Sequence, residues 1–347
     1  MNDQKEIILA VNPGSTSTKM ALFEGENHRT SNVVRHDARA LEMHPTIWSQ
    51  FEFRMHAVRE WARTHTEHLA AVVGIGGLLR PVCGGTYRVN ERMLQDAHNN
   101  LQGEHASNLG CAMVSALAHE YNCPAFVVDP VSVNEFECLA KYSGHPLIQR
   151  KGLSHALNIH AAAISAAKEL GSPVSSTSFI VAHLGGGISV APVRAGRIID
   201  VNDASSDGPF SPERTGGLPL QEFITLCFSG VYKEHEVRSL VMGHGGLIAY
   251  LGTNSVLEIQ ERIASGDERA REVFEAMAYQ IAKEIGAMAT VLKGNVMAII
   301  LTGGLATSTL LVNWIEERVH RIAPVLVYPG ENEMQAMALR VSSCATQ

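Results

Sequence analysis

The chain has 347 residues, a formal net charge of −7, 46% apolar and 18% charged residues, and a mean hydropathy of +0.03. That balance excludes a disordered or membrane-embedded chain and predicts two domains of about 150 residues each. The acidic excess argues against a nucleic-acid partner, which needs clustered Lys and Arg.

No apolar run approaches the roughly 20 residues that span a bilayer, and MNDQKEI opens polar and mixed in charge, so the expectation is a cytoplasmic protein with no membrane partner. The six cysteines (Cys83, Cys111, Cys123, Cys138, Cys227, Cys344) contain no C-x-x-C pair and read as small buried thiols in a reducing compartment. The sixteen histidines include no H-E-x-x-H spacing.

In chain order, Ile7-Ile8-Leu9-Ala10-Val11 predicts a strand, Asn12-Pro13-Gly14 a sharp turn, and Met20-Ala21-Leu22-Phe23 a second strand. Between them Ser15, Thr16 and Ser17 supply hydroxyls, Gly14 lets backbone N–H groups crowd an anion, and Lys19 adds a point charge. The result is a hairpin with a phosphate-sized mouth, and it is not a Walker A loop, because no Gly-Lys-Ser/Thr closes it. A plain tight hairpin is the alternative for this stretch alone.

Residues 24–50 are polar and mixed, and Phe51 to Leu69 has helical spacing through Phe53, Ala57 and Trp61. A strand over Ala70 to Gly74 runs into Ile75-Gly76-Gly77, whose glycines predict a close backbone approach. A glycine turn at Gly84-Gly85 follows, then a helical stretch, then a helix to Tyr121 capped by Ser107 or Asn108. Ala125 to Val128 reads as a short buried strand that delivers Asp129 at its carboxyl end, where α/β sheets collect ligand chemistry.

Residues 130–153 read as a crossing between halves, followed by an alanine-rich helix from Ser154 to Leu170 with Gly171 as its C-cap. The opening form then returns as Phe179 to Ala182, His183-Leu184-Gly185-Gly186-Gly187, and Ile188 to Ala191. The two hairpins lie about 170 residues apart, which predicts two domains of similar build. Asp200 to Pro219 is a long polar loop of a length that is usually functional or disordered, and the embedded Phe210 and Arg214 favour functional.

Asp267 predicts the cap of a helix from Glu268 to Leu292, whose apolar part from Glu275 fits a core or a subunit interface equally well. Val296 to Leu301 reads as a strand meeting Thr302-Gly303-Gly304 and a helix start, a nucleotide-contact form because helix N–H groups are free there. A last strand, Val325 to Tyr328, precedes an acidic-fronted helix from Glu331.

Together these features resemble the two-domain actin-like phosphotransferases. More closely, the chain resembles the acetate and butyrate kinase family, its butyrate kinase branch in particular. The resemblance is carried by VNPGSTSTK, GGTYRVNERML, GEHASNLG, VDPVSVNE, SHALN, AHLGGGISV, DGPFSPERTGGLP, GHGGLIAYLGTN, EAMAYQIAKEIGAMATVLKG, ILTGGLA and YPGENEM, which cover nearly the whole chain.

It implies an α/β fold of two actin-like (ribonuclease H-like) domains with a nucleotide cleft between them, residues 1–130 plus 334–347 forming one and 131–333 the other, with most of the ATP site in the second. It implies ATP-dependent, reversible conversion of a short-chain carboxylate to an acyl phosphate with Mg²⁺, in a homo-oligomer, a dimer or higher.

By the same resemblance, Asn12, Ser15, Ser17 and Lys19 sit at the first phosphate loop, with Asn12 near the transferred group and its metal. His183, Gly185, Gly186 and Gly187 form the second loop around the ATP phosphates, and Gly303 and Gly304 pass under the adenosine. Asp129 and Glu333 hold or orient Mg²⁺. His155 and Arg214 contact the phosphoryl group, and His105, Gly76 and Ser154 lie toward the substrate. Taken singly, Arg214 reads as a surface ion-pair residue, His155 as a local histidine, Asp129 as a cap for the turn into Pro130, and Glu333 as a first-turn complement to a helix dipole.

Two positions depart from the family pattern. Ile75 stands where butyrate kinases usually carry an arginine, for which Arg80 or Arg88 is the available substitute, and Ser154 stands where phenylalanine is common, which implies a roomier acyl pocket. These departures keep a second class open, a nucleotide-binding regulator or scaffold without kinase activity. A kinase for a hydroxyl substrate would need Asp129 as its base.

Overall fold

Strand β1 (Ile7–Pro13) is buried at every position, as a strand covered on both faces must be. It organises the first of two compact units into which this computed structural model divides, Met1–Asn134 with Asn332–Gln347, and Glu135–Glu331. The structure describes residues 6–44, 46–330 and 332–345, with the backbone alone at 38 and 343–345.

In the first unit β1 pairs antiparallel with β2 (Ser17–Glu24), which pairs with β3 (Asn27–Arg35), and β1 runs parallel to β4 (Ala71–Ile75). With β5 (Thr86–Arg88) and β6 (Ala125–Val128) the sheet order is β3-β2-β1-β4-β6-β5. Helices α1 (Ala38–Glu42), α2 (Phe51–His65), α3 (Glu91–His98) and α4 (Leu109–Glu120) belong to this unit.

Three details depart from the sequence reading. Strand β3, inside the polar stretch 24–50, is an edge strand exposed along most of its length, so it carries no apolar alternation to be read. The buried stripe of α2 is Arg54, Met55, Val58 and Ala62 rather than Phe53, Ala57 and Trp61. Neither Ser107 nor Asn108 caps α4 with its side chain. Asn108 instead accepts from the Leu78 N–H at 2.8 Å and donates to Asn100 and the Gly103 carbonyl, each at 2.9 Å.

The second unit holds α5 (Ala156–Glu169) and the strands β7 (Ser178–Leu184), β8 (Ile188–Arg194), β9 (Arg197–Ile198), β10 (Ala298–Gly303) and β11 (Val325–Pro329), in the order β11-β10-β7-β8-β9. As in the first unit, an antiparallel hairpin (β7–β8) is joined by a parallel strand (β10). Helices α6 (Leu220–Cys227), α7 (Glu234–Val241), α8 (Gly246–Leu251), α9 (Val256–Ala264), α10 (Glu268–Val291) and α11 (Thr309–Val319) complete it.

The Asp267 side chain caps α10 by accepting from the Ala270 N–H at 2.9 Å. Phe274, Met277, Ile281, Ile285 and Met288 bury in the core of this unit, which places the apolar helix in the core.

Helix α12 (Glu333–Ala345) returns to the first unit and packs on β1 and β4. The expected start at Glu331 lies outside the described residues. No helix among the described residues is long and apolar enough to cross a membrane.

The five described cysteines are free thiols, and only Cys111 is fully buried. Cys83 and Cys138 are exposed, contrary to the reading of all six as buried: Cys83 falls in an irregular connection and Cys138 opens a short 3-10 turn, Cys138–Lys141, whose one buried residue is Ala140.

Phe274 is fully buried and sits edge-on to Trp314 at 5.8 Å between ring centroids. Phe274→Ala removes a core ring and leaves a cavity, so denaturant titration followed by far-UV circular dichroism is expected to give a loss of about 3–5 kcal/mol.

Candidate functional site

The first bend lies between β1 and β2, where Gly14 N–H donates to the Ser17 carbonyl at 2.8 Å. Ser15 is exposed and Ser17 half-buried at its tip, and the register pairs Asn12 with Lys19 directly across the hairpin. Cross-strand partners share one face of a sheet. That face meets Glu333, the first residue of α12: Asn12 Nδ2 donates to Glu333 Oε2 at 2.5 Å, and Lys19 Nζ lies 3.8 Å from the same oxygen.

Seven residues further along α12, on the same helical face, Arg340 donates to Asp129 Oδ2 at 2.9 Å. Asp129 is fully buried with φ of 40°, and its Oδ1 accepts from the Gly85 N–H at 2.6 Å. A non-glycine residue in the left-handed region at a strand end marks a position held by its surroundings. Both carboxylate oxygens of Asp129 are therefore engaged by the protein, and Glu333 is engaged through Oε2 by Asn12 and Lys19, so that two hard oxygen-bearing side chains, Glu333 and Asn12, meet beside the bend.

In the second unit His183, the last residue but one of β7, sits opposite Ser189 on β8. His155, just before α5, stacks on His183 with ring centroids 4.3 Å apart and planes 28° apart, and its Nδ1 lies 2.9 Å from Ser189 Oγ. The bend Gly185-Gly186-Gly187 is closed by Gly185 N–H donating to the Gly187 carbonyl at 3.2 Å.

Arg214 lies against this bend: a Cβ on Gly187 would fall 2.4 Å from its Nη1. The guanidinium donates to the Ala204 carbonyl at 2.9 Å, and burial lowers its pKa from the ordinary arginine value. It remains a cation, since arginine does not lose its proton in proteins. Ser211 donates to the Gly186 carbonyl at 2.5 Å, fixing the segment to the bend. The second unit thus brings together His155, His183, the three glycines and Arg214.

Gly303 has φ of 95°, and a Cβ there would meet the Leu184 carbonyl oxygen at 2.4 Å. The double glycine does not open directly onto a helix. A 3-10 turn over Gly304–Thr307 intervenes, and Ser308 caps α11 by accepting from the Leu311 N–H at 3.2 Å.

Gly76 and Gly77 are required by close packing, since Cβ atoms there would lie 2.6 Å from Pro130 and 2.5 Å from Asn108. Ile75 is half-buried at the end of β4. Arg80 is held at two points by Asp96, each at 2.5 Å, and this pairing holds the Asp96 carboxyl below its usual range. His105 turns back on its own chain, its Nδ1 accepting from the Ser107 N–H at 3.2 Å. Ser154 is buried, and its hydroxyl finds no hydrogen-bond partner among the described residues.

Sequence reading missed Arg340 and Arg54. Arg340 gives no local signal, since its partner Asp129 is 211 positions away. Arg54 does, because it falls on the Arg54, Val58, Ala62 spacing of the buried face of α2.

A family model described as the Acetokinase family matches residues 139–322 of the chain. The "Probable butyrate kinase" of Listeria monocytogenes serotype 4a is 49% identical over 334 residues, covering 95% of this chain and 94% of its own. "Butyrate kinase 2" of Clostridium acetobutylicum is 47% identical over 343 residues, covering 97% and 96%. Among solved structures, a propionate kinase from Francisella tularensis superposes with a TM-score of 0.76 at 18% identity, over 96% of this chain and 98% of its own. An acetate kinase from Porphyromonas gingivalis gives 0.75 at 16%, over 99% and 100%. These superpositions show the fold, the two-unit actin-like architecture.

The segment carrying Arg214 also holds a carboxyl out of its ordinary range. Burial, then the neighbouring Asp203, pushes Asp207 up to about 6. A carboxyl whose folded pKa is raised stabilises the fold while protonated and loses that contribution as pH rises from about 4 through about 6. Asp207→Asn is therefore expected to raise the melting temperature relative to the parent protein at pH 8 and to leave the two nearly equal at pH 4. Partial exposure limits the gain to about 1 kcal/mol, roughly 2 °C by thermal scanning.

Proposed function

Because the chain belongs to the acetokinase family, we propose that it transfers the γ-phosphoryl group of ATP to a short-chain carboxylate, butyrate or a close or branched relative, giving ADP and an acyl phosphate, reversibly. The observation that carries this reading is the Arg214 guanidinium packed on the glycine bend at Gly187.

A carboxylate is already an anion at neutral pH, so its oxygen attacks phosphorus without a general base, and the bond to the ADP oxygen breaks as the new one forms. The obstacle is repulsion between an anionic nucleophile and a polyanion. A planar guanidinium and aligned backbone donors reduce it and match charge spread over the equatorial oxygens.

We assign Arg214 and His155 to the migrating phosphoryl group, and His183, Gly185, Gly186 and Gly187 to the ATP phosphates. Gly303 and Gly304 are assigned to the adenosine, so the second unit carries most of the nucleotide site. Ser15, Ser17 and Lys19 are assigned to the first bend. Asn12 and Glu333 are oxygen donors of the kind Mg²⁺ takes, and that ion characteristically uses one or two carboxylates plus substrate phosphates rather than an all-protein cage. When bound it would neutralise phosphate charge. Asp129 would act by orienting through Arg340 and Gly85.

His105, Gly76 and Ser154 are assigned to the acyl side, where Ser154 in place of a ring favours longer or branched acids. With Arg80 committed to Asp96, Arg88 is the remaining substitute for the arginine absent at Ile75. A cytoplasmic homo-oligomer completes the proposal, supported by α6, which buries none of its residues although it carries Leu220 and Ile224.

Hydroxamate trapping of acyl phosphate across acetate, propionate, butyrate, isobutyrate and valerate tests the activity. Product is expected with the four- and five-carbon acids, and no product with any acid would overturn the reading. In the same assay Arg214→Ala is expected to lower kcat by about 10³ or more while changing KM for ATP little. An unchanged kcat would remove Arg214 from the chemistry.

A further inference from the structure

Behind the first bend lies a buried cation that the phosphoryl-transfer chemistry above does not use. Arg54 of α2 is fully buried (0% exposed), and no carboxylate among the described residues pairs with it. Its Nη1 donates to the carbonyls of Gly14 at 2.8 Å and Ser17 at 3.1 Å and to Thr18 Oγ1 at 3.2 Å. Its Nη2 donates to the Ser15 carbonyl at 3.0 Å. Gln50 Oε1 accepts from Nη2 at 2.9 Å and from Nε at 3.1 Å, locking the plane of the fork.

Three of the bend's carbonyls are thus drawn to one side by a single rigid group. In a trans peptide the N–H points opposite to the C=O of the same unit, and no peptide bond here is cis. The units whose carbonyls belong to Gly14 and Ser15 carry the N–H groups of Ser15 and Thr16, and both of these residues are exposed. Holding the carbonyls inward therefore turns two N–H donors outward, side by side, next to the Ser15 and Ser17 hydroxyls. An uncompensated buried cation also adds positive potential where an anion would sit.

We infer that Arg54 is a positioning residue for phosphoryl transfer: it fixes the first bend so that the Ser15 and Thr16 N–H groups are presented to the transferred group. The inference rests on the kinase reading. A lysine cannot replace the fork, because one ammonium cannot reach three carbonyls and a hydroxyl in that geometry.

The test uses the full-length protein with ATP and butyrate, each variant being assayed well below its own melting temperature. Arg54→Lys is expected to lower kcat by about 10²-fold, the scale of losing aligned backbone donors, with KM for ATP held within about threefold. Guanidinium ion at low concentration is expected to restore part of the kcat of Arg54→Ala, an effect that a purely structural loss would not show.

Wild-type kcat in folded Arg54→Lys overturns the inference. If neither Arg54 variant folds, Gln50→Leu, which releases the fork without removing the cation, decides in the same assay, and wild-type kcat there overturns it. A parent protein that makes no acyl phosphate overturns both the inference and the kinase reading, whereas an active parent matched by its variants overturns the inference alone.

Discussion

The hydrogen bond from Asn12 to Glu333 joins residues 321 positions apart, and the first unit depends on it. Strand β1 alone supplies a bend without an acid. Helix α12 brings that acid from the far end of the chain, and two turns later brings Arg340 to Asp129. Removing Asn12 would take a hydrogen bond to a charged group from Glu333, whose other cationic neighbour is Lys19 at 3.8 Å, a loss of about 1.5–3 kcal/mol. Glu333 and Arg340 therefore reach Asn12 and Asp129 only when the last helix has docked on the sheet.

In the second unit the corresponding constraint is the long polar segment that holds Arg214. A loop of this length stays in place only if its backbone is bound elsewhere. Asn202 pins it to β8, accepting from the Val190 N–H at 2.7 Å and donating to the Ile188 carbonyl at 2.9 Å, as a strand neighbour would. Ser211 ties it to Gly186, and Phe210 buries in the core. The guanidinium is thus held on a rigid support, the condition the proposed phosphoryl role sets, because a mobile charge would have to be reorganised during the reaction.

Much of this was legible in the sequence, for identifiable reasons. Both hairpins, the Asp267 cap and the apolar helix behind it follow from strand runs, glycine turns and capping chemistry, all local signals. Features that rest on distant partners were not legible. Strand β3 has a polar edge sequence and no buried face, and Asn108 spends its side chain on Leu78 and Gly103 rather than on α4. Arg54 was visible only as a charge on an apolar stripe, which shifted the apparent face of α2 by one residue. Arg340 had no signal at all until α12 was placed. The close backbone approach that Gly76 and Gly77 predict is present, and the approaching groups are Pro130 and Asn108.

The measurement that bears most directly on this account is the Mg²⁺ dependence of acyl phosphate formation in Glu333→Gln, a substitution that keeps size and one acceptor oxygen for Asn12 while removing the charge and replacing the other oxygen by an NH2 donor. If the acid carried by α12 serves the phosphoryl site, half-saturation shifts to Mg²⁺ concentrations about tenfold higher or more, the scale on which one metal-site partner acts, while the circular dichroism spectrum is unchanged. A Mg²⁺ curve and kcat identical to those of the parent protein would contradict it.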